Sequence, residues 1–229
     1  MKAKTGETTQ ESYNYDLFEI DEYLKRRKGQ LIIKRGFDIV FSFLGLLVLS
    51  PLFLVISLLI KTGSTGPIFF KQVRVGKDGK EFKIVKFRTM EVGAEKKGKQ
   101  LTVGQDRRIT KEGRWLRKYK LDELPQLINV LVGEMSLVGP RPEVPKYVAY
   151  YNNYQRNILK VKPGITDLAS IEFRSENEIL GRSHDPEKTY IEEIMPAKFE
   201  LNLKYIKNMS LFNDLKIILK TILVLFSNR

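Results

Sequence analysis

Two consecutive acidic residues, Asp122 and Glu123, are the side chains of this sequence best suited to chemistry, and they stand in the segment KYKLDELPQLINVL. Adjacent residues of a helix point about 100° apart, so these carboxylates cannot face each other like the acid pair of a glycosidase. One arrangement makes Asp122 a nucleophile and Glu123 a metal ligand or proton handler, with Arg117 about one turn upstream to hold an anionic phosphate. The alternative is structural, because acids in a first helical turn bond free amides and complement the helix dipole.

The residue types that are missing narrow the chemistry further. The chain has no cysteine and a single histidine, which excludes disulfides, thiolate metal sites, thiol nucleophiles and multi-histidine metal sites. The sequence Ser183-His184-Asp185 is followed by Pro186 and is typical of a polar turn rather than of a catalytic triad. Catalysis therefore has to use carboxylates, hydroxyls, lysine or arginine, and a bound metal should be a hard, oxygen-liganded cation such as Mg²⁺.

The charge balance predicts an anionic partner. The chain of 229 residues carries 40 Lys and Arg against 27 Asp and Glu, a net charge of +13. Lipid headgroups, a phosphorylated substrate and nucleic acid would all fit such a charge. Because the basic residues are scattered and no helix-turn-helix or RNA-binding pattern occurs, we predict no nucleic-acid partner.

A long apolar run, GFDIVFSFLGLLVLSPLFLVISLLI, extends from Gly36 to Ile60. As an unbroken helix it would measure roughly 37 Å, more than the roughly 30 Å hydrocarbon core of a bilayer. Ser50-Pro51 stands at its centre, and a proline inside a helix costs about 3 kcal/mol and favours a bend, while the serine hydroxyl bonds a released carbonyl. We predict a re-entrant helix-break-helix over residues 31–61, broken at Ser50 and Pro51.

Both flanks of this run are basic, so the positive-inside rule indicates that both ends lie on the cytoplasmic side. The basic residues are Lys25, Arg26, Arg27, Lys28, Lys34 and Arg35 before the run and Lys61, Lys71, Arg74, Lys77 and Lys80 after it. A kinked helix that crosses the membrane once remains an alternative, since proline is tolerated in spanning helices. Asp38 near the start of the run can pair with Arg35 three residues earlier.

The polar part of the chain predicts a mixed α+β domain. Residues 68–75 and 81–90 flank the glycine-rich segment GKDGK, which indicates a β-hairpin, with a bulge where the alternation slips between Ile84 and Val85. Pro125 should lie in the first turn of an apolar-striped helix that begins near Leu121 or Asp122 and follows a separate turn or helix. The segment Gly139-Pro140-Arg141-Pro142 predicts a stiff extended loop that presents one guanidinium or, alternatively, an ordinary surface turn.

The two ends of the chain complete the predicted organisation. We predict that residues 1–30 form an N-terminal extension, with a disordered first dozen residues and an amphipathic helix from about Tyr13 to Lys28 that leads to the membrane. Residues 62–210 form a helix-rich cytosolic domain. Residues 211–229 form an amphipathic helix that either completes the core or lies on the membrane surface.

The order of several segments resembles the bacterial sugar transferase family, the monotopic phosphoglycosyl transferases. The similarity runs from about Ile33 to Thr166 and is carried by KRGFDIVFS, LSPLFL, GPIFFKQVRVG, FKIVKFRTM, GRWLRKYKLDELPQLINVLVGEMSLVGPRP and VKPGIT. The resemblance implies transfer of a sugar 1-phosphate from a UDP-sugar to a polyprenol phosphate such as undecaprenyl phosphate, with release of UMP. It implies that Asp122 attacks the phosphorus next to the sugar and that Glu123 is the partner acid associated with Mg²⁺.

The resemblance also implies further site residues and a location. Arg88, Arg117 and Arg141, together with Lys86, become candidates for phosphate or nucleotide contacts. A monotopic protein of this kind would bind anionic headgroups at the cytoplasmic face of the bacterial inner membrane, and whether it forms a homodimer stays open. After VKPGIT the chain reads DLASIEFRSENEIL, where many family members have Gly-Trp-Ala-Gln. A noncatalytic membrane-anchored scaffold that binds anionic lipid or a partner protein is the competing interpretation.

Overall fold

The long apolar segment is one continuous helix in the computed structural model, which describes residues 20–94 and 106–227. Residues 20–26 form helix α1, and helix α2 follows from Lys28 to Gly63, longer at both ends than the predicted range 31–61. Of its most apolar window of 18 residues only 11% is buried. The predicted disorder of the first dozen residues lies outside the described part of the chain.

Helix α2 continues through Ser50 and Pro51 because a side chain replaces the missing backbone donor. Pro51 has no N–H to donate to the carbonyl of Leu47, four residues earlier, and the hydroxyl of Ser50 donates to that carbonyl at 2.8 Å. The two predicted halves are thus joined in one helix with Pro51 inside it. A change of direction at this point stays a prediction.

The predicted hairpin is confirmed, without the predicted bulge. Strand β1 (Phe69–Val75) pairs antiparallel with β2 (Glu81–Phe87) in an uninterrupted register. The alternation slips because the second face of β2 is exposed at Glu81 and Lys83 and becomes covered only towards the end of the strand. Phe82 and Ile84 pack in one buried cluster, whereas Phe87 packs on the opposite side against Ile56 and Ile60 of α2.

The helix predicted to begin near Leu121 or Asp122 begins later. Helix α3 (Lys111–Lys118) is followed by a single 3₁₀ turn at Leu121–Glu123, and helix α4 runs from Gln126 to Val132 with Pro125 at its N-cap. Lys120 adopts a left-handed conformation with φ of 56°, which reverses the chain before the turn and prevents one continuous helix.

The rest of the chain adds a small parallel sheet and a helical layer that the sequence did not predict in detail. Strand β3 (Ser136–Val138) pairs parallel with β4 (Gly164–Thr166). Helices α5 to α10 are, in order, Pro145–Val148, Leu168–Glu172, Glu176–Arg182, Pro186–Thr189, Met195–Lys207 and Leu211–Phe226. A 3₁₀ segment (Gln155–Lys160) and a π-helical segment (Tyr190–Ile194) lie between them. The largest buried cluster joins these elements, and Tyr205, Leu180 and Ile206 are among its most buried members.

Helix α10 buries the side opposite to its predicted apolar face. Asp214 and Ile217 are buried against the domain. The exposed apolar side chains of α10 are Phe212, Leu215, Leu219, Ile222 and Leu223. This broad apolar surface favours the membrane-surface alternative over a purely structural core helix.

Candidate active site

The 3₁₀ turn between α3 and α4 places the two consecutive acids in the interior of the protein. Asp122 is 7% exposed and Glu123 is 9% exposed. The left-handed Lys120 starts the turn, and the N–H of Glu123 donates to the carbonyl of Lys120. A dipole-capping role at the start of a helix does not account for this position, because α4 begins only at Gln126.

Glu123 is held by two cations from different parts of the chain. The ammonium of Lys86 on β2 lies 2.9 Å from Glu123 Oε1. The guanidinium of Arg141 bonds both carboxylate oxygens, with Nη1 at 3.1 Å from Oε2 and Nη2 on Oε1. Burial raises the pKa of Glu123, but the charges of Arg141 and Lys86 outweigh burial and hold the pKa well below its ordinary value.

The loop that carries Arg141 is fixed from three sides, as its prolines predicted. The N–H of Gly164 donates to the carbonyl of Pro140 at 3.0 Å. The N–H of Arg141 donates to Asp167 Oδ2 at 2.9 Å, and Arg74 Nη1 donates to the carbonyl of Pro142 at 3.0 Å. These bonds present the guanidinium in a defined position, so little side-chain entropy is lost on binding an anion.

Asp122 has fewer hydrogen-bond partners than Glu123. Its Oδ1 is buried and has no hydrogen-bond partner among the described residues. Burial, followed by the negative charge of Glu123, raises the pKa of Asp122, and the positive charges of Lys86 and Arg117 oppose this rise. A buried carboxylate oxygen without a donor is a costly arrangement and is suited to bond formation with a phosphorus atom or a cation.

The other predicted arginines occupy different positions. Arg117 on α3 is close enough to Asp122 to influence its pKa. Arg88 is 5% exposed and caps the end of α2, where it donates to carbonyls of Ser64 and Thr65 and, at 3.4 Å, of Ile60. The structure thus brings Lys86, Arg117 and Arg141 to the acid pair, whereas the contacts of Arg88 are structural and its phosphate-binding role stays a prediction.

A magnesium ion fits this acid pair only with help from a substrate. No cluster of three or more His, Cys, Asp or Glu occurs among the residues that the structure describes. Mg²⁺ is commonly bound through one or two carboxylates plus substrate phosphates, and the unpartnered Oδ1 of Asp122 suits that role. Both oxygens of Glu123 already accept hydrogen bonds, so the predicted metal role of Glu123 stays a prediction.

A network behind Arg141 was missed by the sequence analysis. The hydroxyl of Tyr190 donates to Glu143 Oε1, and Arg74 Nη1 lies 3.9 Å from Glu143 Oε2. Asp167, 1% exposed, accepts from Arg141 and also caps α6. The position of Asp167 directly after VKPGIT was an available signal, whereas Tyr190 stands 47 residues from Glu143 in a segment without a recognisable motif.

The sequence is similar to known proteins over most of its length. The family model described as bacterial sugar transferase matches residues 29–228. Three similar proteins illustrate its range. The chain is 41% identical over 203 residues to the UDP-glucose:undecaprenyl-phosphate glucose-1-phosphate transferase of Klebsiella pneumoniae, covering 87% of this chain and 41% of that protein. It is 38% identical over 216 residues to the UDP-N-acetylgalactosamine-undecaprenyl-phosphate N-acetylgalactosaminephosphotransferase of Aeromonas hydrophila, covering 89% and 48%.

The third relative has a length close to that of this chain. It is the exopolysaccharide production protein PSS of Rhizobium leguminosarum bv. phaseoli, 39% identical over 207 residues, which cover 84% of this chain and 94% of that protein. The chain therefore spans less than half of the first two relatives and nearly all of the third.

Proposed function

This chain belongs to the bacterial sugar transferase family, and on that premise we propose that it is a phosphoglycosyl transferase. It transfers a sugar 1-phosphate from a UDP-sugar to undecaprenyl phosphate and releases UMP, as the first membrane step of glycan assembly. The names of two relatives support this donor and acceptor class. Because these relatives use different sugars at similar identity, overall identity does not select the sugar.

The observation that carries the proposal is the buried, unpartnered oxygen of Asp122 in an acid pair whose other member, Glu123, is bound by Lys86 and Arg141. In the first half-reaction, the Asp122 carboxylate forms a bond to the phosphorus that bears the sugar, and the bond from that phosphorus to the UMP oxygen breaks. In the second, an oxygen of undecaprenyl phosphate bonds to the same phosphorus and the Asp122 carboxylate leaves. The product is the lipid diphosphate sugar, and the enzyme returns to its starting state.

The surrounding charges favour this exchange. Arg141, Lys86 and Arg117 balance the negative charge that the diphosphate brings to a buried carboxylate pair. Glu123 keeps Arg141 and Lys86 in place until the diphosphate arrives, because its low pKa keeps it ionised. Bound Mg²⁺ would stabilise the departing phosphate, and it would be held by the donor phosphates and by the oxygen of Asp122 that does not attack the phosphorus.

Contacts at both ends of α2 support a re-entrant membrane element. Near its start, Arg35 donates to carbonyls of α4, and Asp38 accepts the N–H of Leu137 at 3.0 Å. Near its end, Ile60 packs against Phe87. Both ends therefore contact the same polar domain, and a membrane-crossing α2 would place that domain on two sides of a bilayer.

The exposed apolar surface supports the contact with a bilayer that a position at the cytoplasmic face of the bacterial inner membrane requires. Helix α2 exposes a set of large apolar side chains: Ile32, Ile33, Ile39, Val40, Phe41, Phe43, Leu44, Leu47, Val48, Leu54, Val55, Leu58 and Leu59. The exposed apolar face of α10 adds to it, and Lys34 links the two helices through a 2.6 Å ion pair with Asp214. A protein seated in this way holds its active site within reach of a lipid phosphate.

A direct assay tests the proposed reaction. Purified protein is incubated with a panel of labelled UDP-sugars, Mg²⁺ and undecaprenyl phosphate, and both UMP and labelled lipid are measured. We expect one or more sugars to give both products and intact-protein mass spectrometry to detect a phosphosugar adduct in the absence of lipid. Asp122→Asn should abolish adduct and turnover. Absence of UMP and lipid product with every donor would refute the enzymatic function.

A further inference from the structure

Asp167 bonds two separate parts of the chain beside the candidate active site. Its side chain is 1% exposed, and each carboxylate oxygen accepts one backbone N–H. Oδ1 accepts from Ser170 and so caps the start of helix α6. Oδ2 accepts from Arg141 at 2.9 Å, across 26 residues of sequence. A helix cap needs only one oxygen, so capping does not account for the second bond.

The second bond satisfies one of the few donors in the loop that carries Arg141. Proline stands on both sides of Arg141 and has no N–H, so only two backbone donors remain in residues 139–142. The N–H of Gly139 donates to the carbonyl of Thr166 at the end of β4, at 3.1 Å. The N–H of Arg141 donates to the next residue along, Asp167. Strand β4 and the residue that follows it therefore bond both donors of the loop.

The strands beneath this loop are closely packed. A Cβ added to Gly164 of β4 would lie 2.1 Å from the backbone N of Gly139, which directly follows β3. Asp167 directly follows β4 and so starts from this tightly packed pair. Protein interiors have low compressibility and transmit displacements. A change in the side chain of Asp167 should therefore move the loop that it bonds.

This bond acts on the residue whose guanidinium binds Glu123. The guanidinium of Arg141 donates to both carboxylate oxygens of Glu123, while its backbone N–H is held by Asp167. The charge of Glu123 raises the pKa of Arg141 most, burial opposes this rise, and the charge of Asp167 adds to it. Asp167 thus stabilises the charged form of Arg141 and also fixes its backbone.

We infer that Asp167 is a positioning residue for the transfer reaction, which holds Arg141 where its guanidinium passes from Glu123 to the diphosphate of the donor. This inference rests on the proposed function, since it takes a nucleoside diphosphate sugar as the donor. The diphosphate is already charged when it binds, so a displaced Arg141 should weaken binding and raise KM rather than lower kcat. Partial misfolding has a different signature, because a smaller amount of active enzyme lowers the apparent kcat and leaves KM unchanged.

The substitution Asp167→Ser separates the two bonds of Asp167. Serine is about as good an N-cap as aspartate, so α6 keeps its cap while the oxygen that accepts from Arg141 is lost. Asp185→Ser is the matched control, since it makes the same change at the cap of α8, where the side chain accepts from Lys188. Thermal unfolding shows that both variants are folded.

Two measurements report the contact of Arg141 with the donor. Calorimetry in Mg²⁺ gives the Kd of UDP, which binds without reacting, and UMP release gives KM and kcat for the most active donor of the panel. We expect Asp167→Ser to raise Kd and KM about 10- to 100-fold, the loss of one charge-assisted hydrogen bond, with kcat changed less than about 3-fold. Asp185→Ser should leave all three values unchanged. In an Arg141→Met background the effect of Asp167→Ser should fall below about 2-fold, because the residue that it positions is gone.

The outcomes separate this inference from the transfer reaction. Wild-type Kd and KM in Asp167→Ser would overturn the inference in favour of a helix cap alone, and a lower kcat at unchanged KM would overturn it in favour of a structural role. An equal loss in the wild-type and Arg141→Met backgrounds would show that Asp167 acts independently of Arg141. If the wild type releases no UMP while the Kd of UDP follows the expected pattern, the reaction is refuted and the positioning of Arg141 for a nucleoside diphosphate stands. Absence of both UMP release and UDP binding in the wild type would overturn both.

Discussion

Neutralising Glu123 should destabilise the protein far more than neutralising a surface acid. Lys86 Nζ lies 2.9 Å from Glu123 Oε1, and the two side chains are 16% and 11% exposed. With an effective dielectric constant of about 20, their attraction amounts to about 6 kcal/mol before the cost of desolvation. Glu123→Gln leaves the charges of Lys86 and Arg141 without a counter-charge, and removal of one partner from a buried ion pair typically costs about 3–5 kcal/mol.

Thermal unfolding in one fixed detergent measures this loss. For a domain of this size each kcal/mol shifts Tm by about 2–4 °C, so Glu123→Gln should lower Tm by about 6–20 °C. Glu192→Gln is the matched control, because Glu192 pairs with Lys188 at 4.0 Å with both side chains more than half exposed and such pairs contribute less than about 1 kcal/mol. If Glu123→Gln lowers Tm no more than Glu192→Gln does, the stabilising role assigned to the contacts of Glu123 with Lys86 and Arg141 is refuted.

The pH dependence of stability provides a second test of the contacts of Glu123, because the direction of the change with pH follows from its lowered pKa. The folded pKa of Glu123 lies well below its ordinary value of 4.5. Its contribution to stability is therefore complete above that value and is lost as the pH falls towards the folded pKa. The Tm difference between wild type and Glu123→Gln should be constant above about pH 5.5 and shrink below about pH 4.5. A difference that stays constant down to pH 3 would contradict the low pKa.

Three further predictions concern the charge at Asp122, the ends of α2 and the role of Arg88. Lys86→Met removes a charge that lowers the pKa of Asp122, so the acid limb of the rate of UMP release should move to higher pH, whereas Lys80→Met at the surface should leave it in place. Cysteines introduced at the exposed positions Gly29 and Thr62 should react with an impermeant reagent from the same side of sealed vesicles; labelling from opposite sides would support a spanning helix. Arg88→Lys loses the guanidinium fork at the end of α2 and should cost about 2–4 kcal/mol in unfolding free energy without changing the KM for the donor. A higher KM with unchanged Tm would instead support phosphate binding by Arg88.

The parts of the fold that the sequence predicted are those set by local patterns. Alternating residues around GKDGK indicated the hairpin β1–β2, and the helical period indicated α10. The start of α4 was predicted too early because the left-handed conformation of Lys120 has no strong sequence signal. The parallel pair β3–β4 has three residues in each strand, too few for a recognisable period.

The candidate site was predictable where a motif places a side chain on a stiff backbone, as at Arg141. The sequence did not predict which group each arginine would bond. Arg88 and Arg141 are both long cations in glycine- or strand-rich segments, yet one caps a helix and the other clamps Glu123. That difference depends on contacts across 23 and 18 residues of sequence, which no local sequence pattern specifies.

Helix α2, the proposed membrane element, also supports the candidate active site. Arg35 donates to the carbonyls of Val130 and Leu131, at the end of the helix that begins three residues after Glu123. At its other end, α2 packs on Phe87, which directly follows Lys86, the ion-pair partner of Glu123. Because both elements that hold the acid pair rest on α2, removing this helix would expose buried carbonyls and apolar groups beside the site. With the proposed membrane position, the same helix would therefore also set the depth of the candidate active site relative to the lipid phosphate.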